Sequence, residues 1–211
     1  MKTSDRISSA FAAGREASQP LVVPFITAGY PTITATVPIV TGLAAAGSDM
    51  IEIGMPFSDP LADGPTIQHA SEVALRNGMT VRKTLEAVRE IRASGTDAAL
   101  ILMGYCNPVC AYGVDAFIKD ATQVGVDGLI IADMPPDEAG ELLVSCRAVG
   151  LSLTFLVAPN APDDRICKVD RASTHFSYCV SVTGVTGARG AIESRTVEFL
   201  QRMRKLSTKP F

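Results

Sequence analysis

The chain has 211 residues, of which 47% are hydrophobic, 19% charged and 6% aromatic, and its formal net charge is −3. That is apolar material for one large core or two small ones. The lack of a Lys/Arg tract argues against a nucleic-acid surface, and no run of 18 apolar residues offers a membrane span. Residues 1–20 carry acidic and polar side chains where a signal peptide needs an unbroken apolar stretch, so no leader is expected. Cys106, Cys110, Cys146, Cys167 and Cys179 are odd in number and scattered, which points to a reducing cytoplasm rather than a disulfide scaffold. Only Cys106 and Cys110 lie close together, and His69 and His175 are far from them, so no metal site is expected.

In chain order, Ser4–Ala13 reads as a helix with Ile7 and Phe11 on one face. Leu21–Thr27 reads as a strand, although Pro24 within it counts against a central position. Val37, Val40, Leu43 and Ala44 mark a helix that Gly47 stops. Met50–Gly54 is the next strand, and Val81, Leu85, Val88 and Ile91 the next helix. Strands follow at Ala98–Met103, Gly128–Ala132, Leu151–Val157 and His175–Ser181. Between and after them, Phe117 to Ala121, Leu142 to Cys146 and Val197 to Met203 have helical spacing.

Nearly continuous apolar runs suit strands buried on both faces of a parallel sheet. Their alternation with helices means right-handed βαβ crossovers. The expected fold is a TIM (β/α)8 barrel with an extra N-terminal helix. Strands one to six are present, and strands seven and eight are largely missing after a possible start at Thr208–Phe211, since such barrels typically need about 250 residues. An open doubly wound sheet is the rival, weakened by the lack of GxGxxG after the first strand.

The connection from Gly54 to Ala98 is the longest and opens with the Pro-, Asp- and Gly-rich MPFSDPLADGPTIQ, on the face where barrels carry function. Glu52 sits inside an apolar strand. It reads either as an outward charge paired with a helix or as a carboxylate in the barrel mouth, where desolvation would suit it to acid–base work. Asp63 reads as part of a turn or as the second of two carboxylates dividing the proton-transfer and polarising roles. Thr183–Gly190 is glycine-rich and can cradle a phosphate or hinge a lid. No lysine lies within a predicted strand and there is no histidine cluster, which disfavours Schiff-base and metal-dependent aldolases. His69 reads as a surface or packing residue. Tyr105 and Tyr178, near strand ends, either assist the carboxylates or fill the interior.

The segments Pro24–Pro31, Ile51–Gln68, Met103–Pro108, Asp127–Asp133 and Ser181–Gly187 resemble, in order, those of the tryptophan synthase alpha subunit family. The resemblance implies a TIM-barrel lyase that cleaves indole-3-glycerol phosphate to indole and glyceraldehyde 3-phosphate by a retro-aldol reaction without a cofactor. By motif, Glu52 would be the general acid–base group that protonates the indole carbon, Asp63 would accept the indole N–H, and Tyr178 would stand beside both. Phe25, Ile67, Met103, Tyr105, Ile130 and Thr186 match positions lining the indole pocket, and Gly187 a backbone phosphate contact. The family works as an α2β2 tetramer whose beta subunit holds pyridoxal phosphate. Pro56, Asp59 and Pro60, with Asn107 and Pro108, would face that partner. Family members run further, through the last two strands, so the isolated chain is expected to be unstable and weak in phosphate binding. Two further readings are another phosphate-binding barrel enzyme and a non-catalytic subunit that only activates a beta-type partner.

Overall fold

A computed structural model describes residues 5–180 and 194–211. Strands β1 (Phe25–Thr27), β2 (Met50–Gly54), β3 (Ala99–Gly104), β4 (Gly128–Ile131) and β5 (Ser152–Thr154) form one parallel sheet in their chain order. A doubly wound sheet reverses its strand order partway across. This one never does, so the rival expectation falls. β6 (Leu156–Val157) pairs in parallel with β7 (Tyr178–Cys179). The predicted strand Leu151–Val157 is thus one extended run that switches neighbours at Phe155. Before it, Thr154 pairs with Ile130; after it, Leu156 pairs with Tyr178.

Helices α1 (Asp5–Ala17), α2 (Thr36–Ala45), α4 (Val81–Ala93), α6 (Val114–Val124), α7 (Gly140–Val149) and α9 (Ser194–Leu206) stand where hydrophobic spacing placed them. Thr80 caps α4 by accepting the Lys83 N–H at 3.2 Å, and Leu85, Val88 and Ile91 form its buried stripe. Three helices were not anticipated from periodicity: α3 (Pro65–Arg76), α5 (Cys106–Tyr112) and α8 (Asp163–Ala172). The long connection after Gly54 is therefore a short loop followed by α3 and α4.

Some boundaries differ from expectation. Leu21–Pro24 lie outside any strand, and β1 is an edge of its sheet, as Pro24 suggests. The Pro24 carbonyl still accepts the Glu52 N–H at 2.9 Å. Thr208–Phe211 form no strand. One backbone bond reaches them, from Ser177 N–H to the Pro210 carbonyl at 3.0 Å, and Asp170 accepts from the Thr208 hydroxyl at 2.7 Å.

Alternation along the strands builds two separate cores. Ile51, Ile53, Leu100, Leu102, Leu129 and Ile131 face the helices and pack on Val88, Ile91, Phe117 and Leu142. Met50, Ala99, Ile101 and Ile130 face the other way, with Ile7 and Phe176, and Phe11 and Tyr178 pack against them. α1 thereby closes the N-terminal end of the strands, with the Phe11 and Phe176 rings 5.4 Å apart. Asp127 is fully buried at that end between Arg6 (3.0 Å) and Arg92, and it also accepts the Leu100 N–H at 2.8 Å.

Candidate active site

Register decides which way Glu52 points. It pairs with Phe25 on one side and Ile101 on the other, and paired residues of a parallel ladder share a face. Ile101 and Met50 both belong to the interior core, so Glu52 points inward and the outward-paired reading fails. The residue is 5% exposed, and burial pushes its carboxyl up to about 7. No hydrogen bond or opposite charge among the described residues offsets that cost. A carboxyl so placed can give or take a proton near neutrality.

Asp63 reaches the same end of the strands from the loop after β2. Its turn is fixed from both sides: the Asp63 N–H donates to the Pro60 carbonyl at 3.2 Å, and the Gln68 side-chain amide donates to the Asp63 carbonyl at 2.9 Å. Tyr105, the residue before α5, locks the loop. Its hydroxyl accepts the Ala62 N–H at 3.1 Å and lies near enough to the Asp63 carboxyl to favour its charged form. The Phe57 and Tyr105 rings lie 5.3 Å apart. Desolvation raises the Asp63 carboxyl, and the Tyr105 hydroxyl partly offsets this.

Asp63, Phe25, Ile67, Met103 and Tyr105 line one small pocket, joined by Thr27 and Ser71. Ser71 lies one helical turn beyond Ile67 on α3, a spacing that could have marked it from sequence. Glu52, Phe25 and Tyr178 line an adjoining larger cleft with Met50 and Phe176. Phe25 lines both cavities, so it is a wall that they share. It occupies that place because residue 54 is glycine: a Cβ there would lie 2.5 Å from Phe25 Cζ. The Tyr178 hydroxyl is pushed up to about 12 by burial first, then by the charges of Glu52 and Asp63, so it lies within electrostatic reach of both.

The other expected site residues divide. Ile130 is buried in the interior, paired with Met103, and lines neither cavity. Thr186 and Gly187 lie outside the described residues. Asp59 and Asn107 are exposed, and Pro60 and Pro108 half-buried. Pro56 corrects its expectation: it is buried, because the Met55 N–H extends the ladder to the Met103 carbonyl at 2.8 Å and holds the loop's start within the sheet end. His69 is exposed, its ring set edge-on to Tyr30.

A family model described as tryptophan synthase alpha chain matches residues 11–211. The tryptophan synthase alpha chain of Roseiflexus sp. (strain RS-1) is 45% identical over 205 residues, covering 97% of this chain and 78% of its own length. That of Azoarcus sp. (strain BH72) is 51% identical over 177 residues, covering 84% of this chain and 64% of its own. Among solved structures, Mycobacterium tuberculosis tryptophan synthase superposes with a TM-score of 0.90 at 40% identity, over 97% of this chain and 78% of that one. A Pyrococcus furiosus structure, described as the tryptophan synthase α2β2 complex, superposes with a TM-score of 0.83 at 38% identity, over 90% and 75%. With its inward carboxylate, its locked acidic loop and this likeness along nearly its whole length, the chain belongs to the tryptophan synthase alpha chain family.

Proposed function

We propose that this chain cleaves indole-3-glycerol phosphate to indole and glyceraldehyde 3-phosphate, the lyase reaction of its family in tryptophan biosynthesis. The observation that carries the proposal is Glu52: an inward carboxyl in the middle of β2 whose burial brings its proton affinity to about neutrality. Its carboxyl protonates the indole ring carbon that bears the side chain. The positive charge then spreads to the ring nitrogen, whose N–H donates to Asp63. The ring carbon to side-chain bond breaks as the adjacent side-chain hydroxyl becomes the aldehyde, and that hydroxyl's proton returns to the Glu52 carboxylate. One proton is given and one recovered, so the enzyme ends as it began. Tyr178 stands beside both carboxylates, and Phe25, Ile67, Met103 and Thr186 enclose the ring, with Ile130 packed behind Met103. The backbone at Gly187 receives the phosphate, as glycine-rich loops can.

The strands are read as six consecutive staves of a (β/α)8 barrel, with β5 and β6 as one stave. The alpha reaction itself uses no cofactor; pyridoxal phosphate belongs to the family's beta subunit. The exposed Asp59 and Asn107, with Pro60 and Pro108 beside them, are the surface offered to that partner. Indole release from indole-3-glycerol phosphate tests this, with and without a beta-type partner. Wild type should release indole, whereas Glu52→Gln and Asp63→Asn should each lose about 100-fold or more, the range of a positioned acid–base group. Equal release by wild type and Glu52→Gln would refute the proposal.

A further inference from the structure

The sulfur atoms of Cys106 and Cys110 stand 3.4 Å apart on α5. Cys106 is the first residue of that helix and half-buried, while Cys110 is exposed. Residues four apart lie on one helix face. Their turn is anchored from two directions: Asp133 Oδ1 accepts the Cys106 N–H at 2.8 Å, and Val109 is buried in the outer core. Neither thiol takes part in the chemistry above. We propose that Cys106 and Cys110 form a two-sulfur clamp for soft thiophilic electrophiles that bridge two sulfurs, with trivalent arsenicals as the ligand class.

A direct disulfide fits poorly. It needs Cβ atoms about 3.5–4.5 Å apart, whereas a helix holds such pairs ~5–6 Å apart, so bonding the sulfurs directly would break the first turn. An inserted atom removes that conflict. Two thiolates bound at about 2.3 Å in a tetrahedral site lie ~3.8 Å apart, a few tenths of an ångström from the separation already present. Among the described residues no third His, Cys, Asp or Glu completes a metal-holding group. A ligand satisfied by two sulfurs therefore fits better than zinc. The other cysteines are buried or half-buried, and among the described residues Cys106 and Cys110 are the thiols that share a hydrogen bond. Burial, then the hydrogen bond with Cys110, pushes the Cys106 thiol up to about 11.

With phenylarsine oxide the step balances without an oxidant. The arsenic–oxygen double bond and two S–H bonds break, two arsenic–sulfur bonds form, and the oxygen leaves as water with both protons. Arsenic stays trivalent throughout.

The full chain is treated with phenylarsine oxide, washed with a large excess of glutathione and analysed by intact mass and thiol titration. One arsenical per folded chain and the loss of two thiols are expected, reversed by 2,3-dimercaptopropanol. Cys110→Ser and Cys106→Ser should each lose the glutathione-resistant adduct, and Cys179→Ser should keep it. Thermal melts establish that each variant is folded, and Cys110→Ser, at an exposed position, serves if Cys106→Ser is not. An adduct retained in Cys110→Ser, or no resistant adduct on folded wild type, would overturn the proposal.

Discussion

The Tyr105 hydroxyl accepts the Ala62 N–H at 3.1 Å, so the residue that follows β3 fixes the loop that follows β2, one position before Asp63. Tyr105→Phe keeps the ring beside Phe57 and deletes that bond, along with the hydroxyl near Asp63. The loss in stability should be about 1 kcal/mol, the net worth of a hydrogen bond. Indole release should fall by more than that loss implies, since the loop bearing Asp63 is no longer held; steady-state kinetics beside thermal melts separate the two effects.

Glu52 makes stability depend on pH. Its carboxyl is raised from 4.5 to about 7, so between those values the folded chain binds this proton more tightly than the unfolded chain does. Stability from this group is whole below pH 4.5 and is lost as pH rises through about 7. The loss amounts to about 3 kcal/mol at 1.36 kcal/mol per unit. Glu52→Gln, which carries no charge at any pH, should match wild type in melts at pH 4.5 and exceed it at pH 8. Equal pH dependence in both would show that Glu52 is solvated.

Gly54→Ala tests the wall between the two cavities. The added methyl would lie 2.5 Å from Phe25 Cζ and 3.3 Å from the Ile26 carbonyl oxygen. Overpacking of this kind costs about 1–3 kcal/mol. Phe25→Leu in the same chain should recover part of the melting temperature but not the indole release.

Asp127→Asn removes the charge between Arg6 and Arg92 at the opposite end of the strands. Breaking one side of a buried ion pair costs about 3–5 kcal/mol. Chemical denaturation should show this loss, while the pH dependence attributed to Glu52 should persist in whatever fraction remains folded.

What could be read from sequence follows physical pattern closely. β3 and β4 are continuous apolar runs and β2 is broken only by Glu52, a pattern that strands covered on both faces need, and the spacing of Leu85, Val88 and Ile91 admits one helix face. The direction of Glu52 was not legible, because a run apolar on both sides of a single charge does not say which alternate set is inside. Only pairing with Phe25 and Ile101 decides it. α8 escaped because DDRICKVDRA buries only Ile166, Val169 and Asp170, too thin a stripe to stand out. Its signal was Pro162 followed by Asp163 and Asp164, acids suited to a helix N-terminus. Pro56 was placed toward the partner by resemblance alone, and its burial follows from Met55, a residue still in the ladder. The change of neighbours at Phe155 has no sequence signature, since Leu151–Val157 reads as one strand throughout.

The clasp between Arg6 and Asp127 spans 121 positions of the chain. During synthesis at about 5–20 residues per second, α1 leaves the ribosome many seconds before the strand it closes against. The first helix made therefore waits, with Ile7 and Phe11 uncovered, for β3 and β4. Its docking is a late event in the birth of the molecule, and the nascent chain is open to chaperones until β4 arrives.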